Sequence, residues 1–140
     1  MQWLDCGLTK GINLMKILQG IDLLKINRIE RIYLNYRDRF LEKILTNREI
    51  KQIKNHRQIC NKIASKFSAK EAASKALGTG FANGVKIKDI EILNLKSGKP
   101  IINLYGKAKT QIKNIQSSSV SISDEDGFVI SIVTFLVEKK

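Results

Sequence analysis

One predicted helix face joins an apolar stripe to groups that could bind an anion or a cation. The stripe consists of residues recurring at every fourth position, Ile59, Ile63 and Phe67. Because this spacing keeps side chains on one face of a helix, the next residue on the face is Glu71. Its neighbours there are Ser74, Lys75 and Gly78. A carboxylate aimed toward a core needs a cationic partner, since burying an unpaired charge is costly.

The pattern leaves two partners open for Glu71. Lys75 follows it by four residues, the spacing of an ordinary ion pair on a helix surface. A bound metal ion would serve equally, because a metal also neutralises an inward carboxylate. On spacing alone, the ion pair is at least as good an interpretation as a functional site.

Several local signals predict the elements that hold these residues. The sequence Thr-Asn-Arg-Glu at residues 46–49 is a capping box, so a helix begins there. A longer helix is predicted over residues 57–77 and ends at the Gly-Thr-Gly of residues 78–80. Residues 15–23 read as a short buried strand, with Asp22 near its end. Taken alone, Asp22 is also typical of a helix N-cap, since a helical segment follows it.

The second half of the chain predicts mainly hairpins. Its elements are strands at 89–94 and 100–104 joined by the turn 96–99, a short helix at 106–115, and a closing hairpin of residues 120–123 and 128–133. No segment has the roughly 18 consecutive apolar residues that span a bilayer. The sequence predicts a cytoplasmic protein with no membrane partner, in which residues 15–140 form one domain after a dispensable extension, residues 1–14.

The charge balance indicates an anionic partner. The 140 residues carry a net charge of +12, and all the arginines lie between residues 28 and 57. A helix predicted over residues 25–36 places Lys25, Arg28 and Arg31 away from its apolar stripe. A small basic nucleic-acid-binding protein without enzymatic activity would explain the charge. It would not explain why Glu71 lies on an apolar face, and the sequence is poor in aromatic residues for base stacking.

Residue identities carry a resemblance. The strings Lys-Phe-Ser-Ala-Lys-Glu-Ala at 66–72 and Ser-Lys-Ala-Leu-Gly-Thr-Gly at 74–80 resemble the signature of the holo-acyl-carrier-protein synthases, members of the 4'-phosphopantetheinyl transferase superfamily. Gly-Ile-Asp at 20–22 and Gly-Lys-Pro at 98–100 are similar to further family segments. The sequence departs from the pattern at Asp124, where many relatives have histidine.

The resemblance implies an activity. It is the transfer of 4'-phosphopantetheine from coenzyme A to a serine of apo-acyl carrier protein, with release of adenosine 3',5'-bisphosphate, in support of fatty acid biosynthesis. Asp22 and Glu71 would hold Mg²⁺, the hard cation suited to diphosphate oxygens. Lys75 would contact the phosphates and share the catalytic role of the two carboxylates. Ser74 and Gly78 would also lie against coenzyme A.

The same resemblance implies a fold and an assembly. The expected fold is α+β, a small, mostly antiparallel sheet packed against helices, in a homotrimer with sites between subunits. The face of Lys25, Arg28 and Arg31 would meet the acidic carrier protein. Nucleic acid is not an expected partner on this interpretation.

Overall fold

The computed structural model describes residues 14–139. Residues 1–13 of the predicted extension lie outside the described residues. The strands are β1 (Met15–Lys25), β2 (Ile90–Asn94), β3 (Pro100–Leu104), β4 (Ile115–Glu125) and β5 (Phe128–Glu138). The helices are α1 (Ile26–Tyr36), α2 (Asp38–Ile44), α3 (Asn47–Ile53), α4 (Ile59–Ala76) and α5 (Gly106–Gln111). A single 3-10 turn covers Ile87–Asp89. None of these helices is long and apolar enough to cross a membrane.

The strands form two small antiparallel sheets where the sequence predicted one. The larger has the order β1-β5-β4, and the smaller pairs β2 with β3. Side chains of α3 accept hydrogen bonds from the outer edge of β2. The Ile92 amide donates to Glu49 Oε1 at 2.8 Å, and the Asn94 amide donates to Gln52 Oε1 at 3.0 Å. Because α3 satisfies these groups, the β2 edge needs no third strand.

Helix α4 lies at the centre of the molecule and packs on β1, β4, β5 and β2. Its sequence allows this, because alanines line about half of its circumference and let neighbours approach closely. The alanines are at most 5% exposed: Ala64, Ala69, Ala72, Ala73 and Ala76. One cluster of the core forms between α4, β2, β4 and β5, and a second between α4, α1, α2 and α3.

The contact of β1 with α4 is closest at Gly20. A Cβ atom on this residue would lie 2.0 Å from the Ala72 carbonyl oxygen and 2.6 Å from the Ala76 amide nitrogen. Only a residue without a side chain permits this approach of strand to helix. Asp22, two residues further along β1, points to the same face of the sheet.

Strand β1 differs from its prediction. It extends to Lys25 and is buried on one face only, with Ile17 66% and Leu23 64% exposed on the other. Asp22 therefore lies within a strand, which excludes the N-cap interpretation. Lys25 is the N-cap of α1 and makes no side-chain capping bond.

The other predicted helices and strands are present in the structure, but several of them begin or end at different residues. The capping box of Thr46 and Glu49 is confirmed, with both reciprocal bonds formed. Helix α2 was not predicted. Helix α5 ends earlier than expected, and β4 and β5 extend well beyond the predicted hairpin strands because they pair along their full length.

Replacing Gly20 by Ala tests the close contact. We expect a loss of about 1–3 kcal/mol in the free energy of unfolding, because an added methyl group would collide with helix backbone. Urea denaturation measures this change in the free energy of unfolding. The control is Gln19→Ala, since Gln19 is exposed and most surface substitutions stay within about 0.5 kcal/mol. Equal stabilities for the two variants would contradict the packing described here.

Candidate active site

Asp22 of β1 and Lys75 of α4 form an ion pair near the close contact at Gly20. The Lys75 ammonium donates to Asp22 Oδ1 at 3.0 Å and to the Ile21 carbonyl at 2.9 Å. Lys75 is 51% exposed at its side chain, whereas Asp22 is 13% exposed. The carboxylate is therefore mostly enclosed and the ammonium lies on its solvent side.

Glu71 lies beside this pair. Burial raises the pKa of the Glu71 carboxyl, and the neighbouring Asp22 carboxylate raises it further. The charges of Lys75 and Arg28 act on the same pKa in the opposite direction. Glu71 is therefore close enough to feel the charges of Asp22, Lys75 and Arg28.

The surface ion pair considered for Glu71 is not formed. Within residues 14–139, the salt bridges join Arg48 to Glu91, Lys70 to Glu49 and Lys75 to Asp22. The ammonium of Lys75 is thus directed across to the strand. Glu71 retains an unfavourable environment for its charge, which a cation between the two carboxylates would relieve.

The donor set suits a hard divalent cation. Among the described residues, no group of three or more His, Cys, Asp or Glu side chains is placed to hold a metal. Asp22 and Glu71 would provide two carboxylates, and Mg²⁺ is commonly held by one or two carboxylates with water and substrate phosphates as its other ligands. The pair therefore fits Mg²⁺ with positions left for substrate oxygens.

The other residues predicted to contact coenzyme A differ in accessibility. Ser74 is fully buried, and its hydroxyl donates to the Glu71 carbonyl at 2.7 Å. A phosphate contact by Ser74 stays a prediction, and it would require this hydroxyl to leave the helix backbone. Gly78 is exposed just beyond α4 with φ +80°, a conformation that glycine adopts without strain.

The predicted basic face adjoins this site. Lys25, Arg28 and Arg31 are all exposed, and the Arg28 charge reaches Glu71. Further along the same helix is an apolar recess of about 400 Å³ with a basic rim. It is lined by residues of α1 and α2: Ile32, Tyr36, Arg39, Phe40, Lys43 and Ile44.

Two buried lysines of α4 were missed by sequence reasoning. Lys70 pairs with Glu49 at 2.8 Å, and both side chains are fully buried. The Lys66 ammonium donates to the Ile92 carbonyl at 2.6 Å and to Gln52 Oε1 at 3.2 Å. The signal available was the alanine distribution of α4, which indicates a helix packed on several sides. These lysines bind α4 to α3 and β2, on a face other than that of Glu71.

Comparisons with known proteins give sequence matches over most of the chain. A family model described as the 4'-phosphopantetheinyl transferase superfamily matches residues 19–133. The holo-[acyl-carrier-protein] synthase of Buchnera aphidicola subsp. Baizongia pistaciae is 46% identical over 120 residues, 83% of this chain and 94% of the relative.

Solved structures of similar proteins have the same fold. The Helicobacter pylori holo-[acyl-carrier-protein] synthase in complex with coenzyme A has a TM-score of 0.72 at 36% identity, covering 86% of this chain and 99% of that one. The Bacillus anthracis holo-(acyl-carrier-protein) synthase in complex with CoA (3',5'-ADP) has a TM-score of 0.73 at 34% identity, covering 91% and 100%.

The buried Lys66 predicts a pH dependence of stability. Burial lowers the pKa of Lys66 from 10.5 to about 8. Between these values the unfolded chain holds a proton that the folded protein has released, so stability from this group rises with pH across the window. We expect Lys66→Met to reduce this rise in urea denaturation, although Lys70, whose pKa burial also lowers, still contributes to it. The control is the exposed Lys113→Met, which should keep the wild-type slope because Lys113 is not among the charges that act on Lys66. Parallel profiles for wild type and Lys66→Met would contradict the prediction.

Proposed function

The chain belongs to the 4'-phosphopantetheinyl transferase superfamily, and on that premise we propose that it is a holo-acyl-carrier-protein synthase in activity. It transfers 4'-phosphopantetheine from coenzyme A to a serine of apo-acyl carrier protein. The family match over residues 19–133 supports the reaction class. The observation that carries the proposal is the meeting of Asp22 with Lys75 at 3.0 Å, beside the half-buried Glu71.

The reaction is a displacement at phosphorus. The carrier serine oxygen forms a bond to the phosphorus that bears pantetheine, the bond to the bridging oxygen breaks, and adenosine 3',5'-bisphosphate leaves. The serine proton passes to a base, for which water and the site carboxylates are the candidates. Catalysis of such a step rests mainly on positioning and on stabilising charge.

The residues have separate roles in this scheme. Asp22 and Glu71 would hold Mg²⁺, which when bound activates the diphosphate and neutralises charge on the leaving group. Lys75 would contact the phosphates, and its exposed ammonium supports that role. The raised pKa of Glu71 supports a site that gains from a cation. A cytoplasmic location and a role in fatty acid biosynthesis agree with this activity.

The direct test is transfer itself. Incubating the purified chain with coenzyme A, Mg²⁺ and an apo-acyl carrier protein should add one phosphopantetheine group to the carrier, read by mass spectrometry. A carrier whose acceptor serine is replaced by alanine is the control. An unmodified carrier after prolonged incubation would contradict the proposed activity.

The basic face of α1 is proposed to dock the carrier. Lys25, Arg28 and Arg31 are exposed beside the site, and opposite charge speeds encounter and sets orientation. The apolar recess between α1 and α2 could receive an apolar side chain of the same partner. A docked carrier would thus present its serine near Glu71, to which the Arg28 charge extends.

Charge reversal separates docking from chemistry. We expect Arg31→Glu, and more strongly Arg28→Glu with Arg31→Glu, to raise the KM for carrier by roughly tenfold or more at low salt. The difference from wild type should shrink as salt rises. The Kd for coenzyme A should stay near wild type. Lys96→Glu in the β2–β3 turn is the matched control. Equal losses toward both substrates would refute docking, and tight binding of the wild type to duplex DNA would favour the nucleic-acid alternative.

A homotrimer with sites between subunits is proposed by analogy and supported by an apolar sheet face. The outer face of β1 and β5 exposes residues that alternate with buried ones: Met15, Ile17, Ile21, Leu23, Phe128, Ile130 and Ile132. A contiguous set of exposed apolar side chains is typical of an interaction surface. A second and third copy of the chain would cover it.

Light scattering tests the assembly. The purified chain should give three times 15.9 kDa. Ile17→Lys, which places a charge in the apolar face, should lower that mass because a buried unpaired charge opposes association. Leu95→Lys is the control, since Leu95 is exposed in the β2–β3 turn. A monomeric wild type with full transfer activity would contradict a site shared between subunits.

A further inference from the structure

One buried hydroxyl beside the site has no partner. Among the described residues, Ser131 Oγ is the buried side-chain polar atom that makes no hydrogen bond. Ser131 itself is 0% exposed. Buried polar groups are nearly always hydrogen-bonded, so an exception in a native fold requires an explanation. A function for the hydroxyl in another state of the site is one such explanation.

The strand register places this hydroxyl next to Asp22. Ser131 of β5 pairs directly with Asp22 of β1. Its neighbours Ile130 and Ile132 are exposed on the outer face, so Ser131 and Asp22 both face α4. Paired residues on one face of an antiparallel sheet have Cβ atoms about 4.5–5.5 Å apart. A rotation of either side chain is enough to bring a hydroxyl to a carboxylate over that distance.

Asp22 would lose its side-chain hydrogen-bond donor if Lys75 turned to a bound diphosphate. In the structure, the Lys75 ammonium holds Asp22 Oδ1 at 3.0 Å. The ammonium is also the group with solvent access, so an incoming diphosphate would draw it away from the strand. Asp22 would then keep its charge close to Glu71 with one hydrogen bond fewer.

We propose that Ser131 is a positioning residue for Asp22, whose hydroxyl donates to the Asp22 carboxylate once Lys75 turns to the phosphates of coenzyme A. This inference rests on the proposed function. Ser131 does not touch the substrate. It keeps the carboxylate oriented toward the site, on the side of the sheet that is closed to solvent. Groups that hold a metal-ligating carboxylate in this way commonly contribute about 10–100-fold to metal affinity or activity.

Ser131→Ala tests whether the Ser131 hydroxyl orients the Asp22 carboxylate or only fills space in the core. Removing an unpartnered buried hydroxyl should leave the melting temperature of the metal-free protein unchanged or raised. Mn²⁺ binding to the coenzyme A complex, measured by electron paramagnetic resonance without carrier, should weaken by about tenfold. The kcat for transfer with Mg²⁺ should fall while the KM for carrier stays constant.

Ser118→Ala is the control for the serine-to-alanine change, because the exposed Ser118 lies on β4 and pairs with Phe135, away from Asp22. It should change neither Mn²⁺ affinity nor kcat. Equal Mn²⁺ affinity and kcat in Ser131→Ala and wild type would overturn the role of Ser131, provided that the wild type transfers phosphopantetheine. A wild type that binds coenzyme A and Mn²⁺ but transfers nothing would defeat the proposed function instead.

Discussion

The close contact of β1 with α4 at Gly20 is the constraint on which the site depends. With backbone atoms of Ala72 and Ala76 2.0 and 2.6 Å from where a Cβ would lie, the strand cannot approach the helix so closely with any other residue. This contact carries Asp22 to the side of Glu71 and within 3.0 Å of Lys75. The alanines of α4 are needed for the same reason, since larger side chains would lift β1 and β5 away from the helix. Geometry at the site is thus fixed by small residues that take no part in the chemistry.

Charged side chains on two faces of helix α4 lie in different surroundings. On one face, Lys66 and Lys70 are satisfied within the fold by backbone carbonyls, by Gln52 and by the Glu49 carboxylate. These contacts bind α3 and β2 to the helix. On the other face, the Glu71 carboxyl has a raised pKa, caused by burial and then by Asp22. The two lysines have carboxylate, amide or carbonyl partners within the fold, whereas Glu71 makes no salt bridge among the described residues, which favours a cation beside Glu71.

Local patterns predicted much of this architecture. The capping box at Thr46 and the Gly-Thr-Gly stop after α4 depend on nearby residues only, so the sequence was sufficient for them. The nearness of Asp22 to Glu71 depends on the pairing of β1 with β5 and on its contact with α4, and it came from the family resemblance alone. The burial of Lys66 and Lys70 depends on α3 and β2, which are distant in sequence. The exposed face of β1 was taken for core, because an apolar run does not reveal which of its side chains point away from the rest of the fold.

The rate of transfer against Mg²⁺ concentration tests the central claim most directly, measured for wild type, Glu71→Gln, Asp22→Asn and the double variant. If both carboxylates hold the metal, each single change should lower transfer by orders of magnitude, because a metal supplies several kcal/mol of charge stabilisation. The double variant should be little worse than either single one, as expected for groups that act as a unit. Without metal, Glu71→Gln should be at least as stable as wild type at neutral pH, since the raised pKa makes the ionised form unfavourable in the fold. A near-wild-type rate with unchanged Mg²⁺ dependence in Glu71→Gln would contradict the assignment of this site.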